Sequence, residues 1–318
     1  MTCLAIHGGA GALPKKDMTP ERAVEFHAAL HEALLVGRRV LVAGGPSMDA
    51  VETVVTWLED NPLFNAGRGS AFTREGQVEM EAAIMDGATR QAGAATLLRQ
   101  VRNPVQLARL ILRATPHVML GGEAAERFAR EQGLPVEPPE YFFTQFRWDG
   151  MLRLRGTERT ALSEDVVVGP GSPEASGTVG AVALDAAGDL AAATSSGGTT
   201  NKYAGRIGQA ATPGAGVYAN NATCAVSCTG QGEAFMRAVA AYDVASLMEY
   251  RGLDLAVAAE LVIHAKLPGR GGLIAVDARG HVTLPFNTEG MYRGWIDSAG
   301  RVHTAIYETV QEWETLSA

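Results

Sequence analysis

The sequence predicts a mixed α/β fold of the α+β kind, in which stacked sheets are flanked by helices. Three observations carry this expectation. Strand-like and helix-like segments come in blocks rather than in strict alternation, which argues against a doubly wound parallel sheet. Residues 177–185, Gly-Thr-Val-Gly-Ala-Val-Ala-Leu-Asp, are small or β-branched on both faces, as suits a strand covered on both sides. Hydrophobic residues make up 47% and charged residues 19% of 318, enough apolar mass for a sizeable core.

The elements follow in order. Residues 3–7 read as a short buried strand, and Gly8-Gly9-Ala10-Gly11-Ala12 after it as either a tight turn or a place where backbone approaches a ligand. Thr19 and Pro20 open a long helix as cap and first residue, and Gly44-Gly45-Pro46 stops it. Residues 47–59 form a second helix, capped by Ser47, with Val51, Val54, Val55 and Leu58 on one face. A polar, glycine-rich loop over 61–70 leaves that helix and turns Asn65 and its carbonyls toward a site, or forms a simple Asx-turn. Strands are expected at 79–87 and 92–98, and helices at 103–114 and 122–131. Beyond Pro135 the chain turns polar and irregular, with a flexible linker over about 156–177.

The second half begins with a hairpin, in which Ala186-Ala187-Gly188 lies between Asp185 and Asp189. If those aspartates pair, Thr178 stands opposite Ser196, and 195–200 gathers at the same sheet end. Residues 201–209 form a loop with one conspicuous cation, Arg206, whose fork suits a carboxylate. Strands at 216–220 and 222–229 lead through Thr229-Gly230-Gln231-Gly232 into a helix over 233–250. That junction offers N–H groups to an anion, either a phosphate or an oxyanion. As a dinucleotide fingerprint it is weak, because Phe235 stands where glycine or alanine is wanted. A helix over 254–266, a hairpin over 273–284 and strands near 288–292 and 302–307 complete the chain.

Composition excludes some functions. A net charge of −8 argues against nucleic acid as a partner. No run of about 18 apolar residues predicts a membrane span. The N-terminus reads as a strand rather than a signal peptide, and three cysteines, Cys3, Cys224 and Cys228, without metal-ligand spacing suit a reducing compartment, so a cytoplasmic location is expected. His27 and His31 sit four apart but lack a third ligand, and read as a solvated helix face.

The solvated linker meets the buried strand at one bond, Gly177–Thr178. This junction belongs to a longer pattern: Ile6-His7-Gly8-Gly9-Ala10-Gly11-Ala12, Pro62-Leu63-Phe64-Asn65-Ala66-Gly67, Met85-Asp86-Gly87, Gly177-Thr178-Val179-Gly180-Ala181-Val182, Thr194-Ser195-Ser196-Gly197-Gly198, Gly205-Arg206-Ile207-Gly208, Cys228-Thr229-Gly230-Gln231-Gly232-Glu233 and Pro285-Phe286-Asn287-Thr288-Glu289-Gly290-Met291. Over nearly its whole length the chain resembles the plant-type (type III) L-asparaginase and isoaspartyl peptidase family of N-terminal nucleophile hydrolases.

The resemblance implies a four-layer αββα sandwich made as a precursor that cuts itself before Thr178, giving an α chain of 1–177 and a β chain of 178–318. It implies hydrolysis of the side-chain amide of L-asparagine and β-aspartyl dipeptides through a threonyl ester. It casts Thr178 as nucleophile, with Ser196 where many members carry threonine, and Thr229 and the Gly230 N–H as the oxyanion hole. Arg206 is to grip the substrate α-carboxylate, Gly232 to line the pocket, and Asn65 to lie near the nucleophile. The carbonyls of Leu58, Glu59, Asn61, Phe64, Ala66 and Arg68 are to hold a structural sodium; no organic cofactor is implied. The expected assembly is a dimer of αβ heterodimers acting on a small amino acid or dipeptide. One departure stands out: Gln209 occupies the place of an aspartate that pairs with the substrate α-ammonium. Two other readings stay open: a glycosylasparaginase and, because of Gln209, a weak or inactive member of the family.

Overall fold

The computed structural model describes residues 2–11, 13–157, 177–297 and 299–313. The first half contains β1 (Cys3–Gly11), α1 (Pro20–Val42), α2 (Ser47–Asp60), β2 (Met80–Asp86), β3 (Ala92–Leu98), α3 (Pro104–Ala114), β4 (Met119–Gly121), α4 (Gly122–Glu131) and α5 (Gln145–Leu154). The second half contains β5 (Val179–Leu184), β6 (Leu190–Ser196), β7 (Val217–Ala219), β8 (Cys224–Gly230), α6 (Gly232–Ala238), α7 (Ala240–Arg251) and α8 (Leu255–Glu260), which a π-helical turn, Leu261–Lys266, continues. Then follow β9 (Gly271–Asp277), β10 (Val282–Thr283), β11 (Gly290–Ile296), β12 (Val302–Ala305) and β13 (Val310–Trp313).

Among the described residues the strands form two sheets. One has nine strands in the order β13-β12-β11-β1-β5-β6-β2-β3-β4, and the other has four, β10-β9-β8-β7. Side-chain alternation along each strand sorts the core into layers. Leu4 and Ile6 of β1, Ala181 and Ala183 of β5, and Ala191 and Ala193 of β6 pack with Leu30, Leu34, Val51 and Val54 of α1 and α2. The alternate residues Ala5, Val182 and Ala192 meet Ala225, Ile274 and Val276 of the second sheet. The other face of that sheet, Val226, Leu273 and Ala275, packs on Val244, Ala258 and Val262 of the α7–α8 region. Helix, sheet, sheet, helix is the four-layer αββα sandwich, and the small residues on β5 and β6 let the layers approach closely.

Several expected elements are corrected. β1 runs on through the glycines to Gly11, with a register shift between His7 and Gly9, instead of stopping at His7. Thr19 caps α1, accepting the Arg22 N–H at 3.3 Å. Ser47 does not cap α2: it is the first helical residue, and its N–H is satisfied at 2.8 Å by Asp185 Oδ2. Asp185 Oδ1 also accepts from Ala187 and Asp189 in the β5–β6 turn, so one carboxylate fixes both a hairpin and a helix start. The polar stretch after Pro135 contains α5, capped by Thr144. The helix expected over 233–250 is two helices, broken at Val239, which adopts the left-handed conformation at φ 50°. His27 and His31 are not a solvated face: His27 Nδ1 lies 2.8 Å from Thr304 Oγ1, and the His31 ring stacks on Trp313. Of the expected linker, residues 158–176 lie outside the described residues.

Candidate active site

Thr178 immediately precedes β5, which lies between β1 and β6 in the middle of the large sheet. The register Val179↔Ser195 to Leu184↔Leu190 is the one the hairpin predicts, and carried one step further it sets Thr178 opposite Ser196. A narrow cleft opens at this sheet end. Six candidate site residues line it, Gly177, Thr178, Ser196, Arg206, Gln209 and Gly230, together with Gly198 and Thr199 of the 195–200 segment expected at this sheet end.

Thr178 is buried, and its Oγ1 accepts a 3.0 Å hydrogen bond from Gln209 Nε2. The branched Cβ limits χ1, so this bond and the strand fix where the hydroxyl points. Ser196 Oγ accepts the Gly198 N–H at 2.9 Å, which bends the cleft wall back on itself. Thr229 Oγ1 accepts the Ala10 N–H at 3.0 Å. That contact draws the β1 glycines against the Gly177–Thr178 junction. A Cβ on Gly9, whose φ is +123°, would stand 2.6 Å from Gly177 Cα, so the closeness of the two backbones requires glycine there.

Arg206 is the cleft's cation. Its Nε and Nη2 donate to both oxygens of Glu233, each at 3.0 Å. Burial pushes the Glu233 carboxyl up, but the hydrogen bonds and charge of Arg206 outweigh it and hold it below the usual range. Gly232 abuts this pair rather than lining the cleft: a Cβ there would lie 2.4 Å from Gln209 Oε1 and 2.7 Å from Arg206 Nη2.

The model of the asparaginase family matches residues 1–306. The chain belongs to the asparaginase family. It is similar to an isoaspartyl peptidase of Escherichia coli, 49% identical over 311 residues that cover 96% of this chain and 95% of that protein. An isoaspartyl peptidase/L-asparaginase of Rattus norvegicus is 41% identical over 291 residues, 91% of this chain and 84% of that one. One of Danio rerio is 38% identical over 313 residues, 96% and 94% of the two chains.

Several residues that sequence reasoning missed support the site of this asparaginase-family chain. Lys202 is buried, and its Nζ donates to the carbonyls of Glu79 and Gly197. Burial lowers its pKa to about 8, an effect that the Glu81 charge opposes. Glu79 binds Arg99 at 2.7 Å and accepts the Gly205 N–H, while Glu81 accepts the Gly208 N–H. Two carboxylates and one ammonium thus pin the loop that carries Arg206 and Gln209. The available signal was a Glu-Met-Glu alternation at 79–81, which places both acids on one face of a buried strand start. His7 is also buried, with Nε2 2.7 Å from Ser227 Oγ across the two sheets, and Gly180 leaves room for that bond. Burial drives the His7 pKa down to about 3 against the opposing pull of the Thr178 backbone, so the ring is neutral beside the start of β5.

Asn65 stands behind the cleft. Its Nδ2 donates to Gly198 O at 2.7 Å and its Oδ1 accepts from Ala71 N at 2.8 Å, so it braces the Gly197–Gly198 wall. In the loop before it, Pro62 has no N–H for the Leu58 carbonyl, and the Leu63 N–H due to Glu59 goes instead to Asn61 Oδ1. Gly67 and Gly69 keep these oxygens close: a Cβ would lie 2.4 Å from Glu59 O at the first and 2.1 Å from Phe64 O at the second. Neutral carbonyls at a helix C-terminus suit a hard monovalent cation, although those of Asn61 and Ala66 also accept the Phe64 and Gly69 N–H groups. Among the described residues, no group of three or more His, Cys, Asp and Glu is arranged to hold a metal.

Proposed function

We propose that this chain is an isoaspartyl peptidase/L-asparaginase. It cuts itself at Gly177–Thr178 and then hydrolyses the side-chain amide of L-asparagine and of β-aspartyl dipeptides. The observation that carries this reading is Thr178 itself: a buried threonine before the central strand, its hydroxyl oriented by Gln209 in a cleft that also holds Arg206.

In self-cleavage, Thr178 Oγ attacks the Gly177 carbonyl carbon. The C–N bond breaks, the hydroxyl proton passes to the Thr178 nitrogen, and an ester links Gly177 to Oγ. Water hydrolyses the ester, leaving a Gly177 carboxylate and a free α-amine. Such an amine has a pKa of about 7.7–8.0, so at neutral pH a useful fraction acts as general base without a histidine. In turnover the amine takes the Oγ proton and Oγ attacks the substrate amide carbon. The leaving amine or ammonia departs with that proton, and water cleaves the β-aspartyl ester. Thr229 and the Gly230 N–H stabilise the oxyanion, Ser196 donates within the cleft, and Arg206 receives the α-carboxylate.

The carbonyls of Leu58, Glu59, Asn61, Phe64, Ala66 and Arg68 hold a structural sodium that steadies the Asn65 brace. Three buried cysteines without a disulfide suit a reducing, cytoplasmic setting, and no helix among the described residues is long and apolar enough to cross a membrane. The working unit is a pair of αβ heterodimers. The test is release of ammonia from L-asparagine and of free amino acid from β-aspartyl dipeptides by purified protein. Failure on both substrates by self-cleaved protein removes the proposal.

A further inference from the structure

Gln209 raises a question of charge that the rest of the cleft answers. An α-amino acid head group brings a carboxylate and an ammonium one carbon apart. Arg206 meets the first. Gln209 is neutral, and its amide N–H is directed at Thr178 Oγ1. Of the acids that hold the surrounding loop, Glu79 is 4% and Glu81 3% exposed, and both are committed to backbone N–H groups. Glu233 differs from them. Its side chain is 47% exposed, both its oxygens lie on Arg206, and it follows Gly232, where an added Cβ would fall 2.7 Å from Arg206 Nη2 and 2.4 Å from Gln209 Oε1. No side chain at 232 separates it from Arg206 and Gln209.

We propose that Glu233 is the carboxylate that receives the substrate α-ammonium, by an exchange of ion pairs. This inference rests on the function proposed above. In the free protein Arg206 and Glu233 neutralise each other. An arriving zwitterion trades with them: its carboxylate takes Arg206, and its ammonium takes the Glu233 carboxylate so released. Two ion pairs replace one and no charge is left unpartnered, which suits a cleft with little room for water. The pair also makes the site selective, because a ligand with a carboxylate but no ammonium displaces Glu233 without giving it a partner.

The experiment is calorimetric titration of the self-cleaved protein with L-aspartate and with succinate, which differ only in the α-ammonium. Wild type is expected to bind L-aspartate more tightly. Glu233→Gln is expected to weaken L-aspartate by roughly ten- to hundredfold, the loss of a charge-assisted contact, while succinate changes by less than about threefold. Glu233→Asp, which keeps the charge on a shorter stem, is expected to fall between the two, and it carries the test alone if the glutamine variant does not fold. Equal weakening of both ligands would make Glu233 only a support for Arg206 and overturn the inference, as would an unchanged preference in the variants. Self-cleaved wild-type protein that hydrolyses neither asparagine nor a β-aspartyl dipeptide would overturn the proposed function, a result read separately from the ligand preference.

Discussion

Replacing Arg206 by alanine separates the two reactions that Thr178 is asked to perform. The side chain lines the cleft and is 16% exposed, and among the described residues it bonds Glu233, itself half exposed. An ion pair in that setting contributes about 0–1 kcal/mol, so Arg206→Ala should leave the fold standing. Substrate binding is affected far more. Two parallel charge-assisted bonds to an α-carboxylate, at about 1.5–3 kcal/mol each, amount to roughly 3–6 kcal/mol, or a loss of about 10² to 10⁴ in kcat/KM. Self-cleavage involves no α-carboxylate, because the attacked carbonyl is that of Gly177, so its rate should stay within about threefold of wild type. The assay pairs a time course of chain cleavage on denaturing gels with steady-state ammonia release and a urea midpoint. If cleavage and turnover fall together while the urea midpoint holds, Arg206 shapes the nucleophile rather than gripping substrate, and the reasoning is refuted.

Three further outcomes are expected. Burial keeps Glu59 protonated up to about 8, against an ordinary value of 4.5, so folding stability falls as pH rises between those values; His7, at about 3 against 6.5, acts in the opposite sense below 6.5. From pH 6.5 to 8 Glu59 therefore acts unopposed, and wild type should lose roughly 2 kcal/mol in urea titrations that Glu59→Gln does not lose; parallel curves would disprove this. Exchanging sodium for tetramethylammonium should lower the melting temperature of wild type but not of Gly69→Ala, whose Cβ would fill the carbonyl cradle; equal melting of wild type in both salts would remove the cation from the account. Lys202→Met leaves the carbonyls of Glu79 and Gly197 without their donor and should cost about 2 kcal/mol or more while slowing self-cleavage; an unshifted urea midpoint would contradict the role assigned to that lysine.

What the sequence disclosed was mainly local. The β5–β6 register followed from one turn and two aspartates, and the α1 cap from Thr19-Pro20, because both are set by residues close in the chain. Where a partner came from far away, local reasoning failed. The α2 start was assigned to Ser47, whereas its N–H is met by Asp185, 138 positions on. The break at Val239 went unseen, because neither glycine nor proline marks it. In the site, Thr178, Ser196, Arg206, Gln209 and Gly230 were legible from ordered motifs and do meet in one cleft. Lys202, Glu79 and Glu81 were not, since each gains its meaning from burial and from backbone carbonyls or N–H groups that no motif records. Glu233 lay inside a quoted motif yet acquired a role only when the structure set it against Arg206.

The account turns on Thr178, and intact-protein mass spectrometry tests it most directly. Purified wild-type protein should resolve into fragments of 177 and 141 residues, roughly 19 and 15 kDa of the 33.4 kDa chain, with Thr178 as the new N-terminus. Thr178→Ala should remain a single full-length chain and release no ammonia from asparagine. A wild-type chain that stays whole after long incubation, or a Thr178→Ala variant that is cut at the same bond, would contradict the assignment of Thr178 as nucleophile.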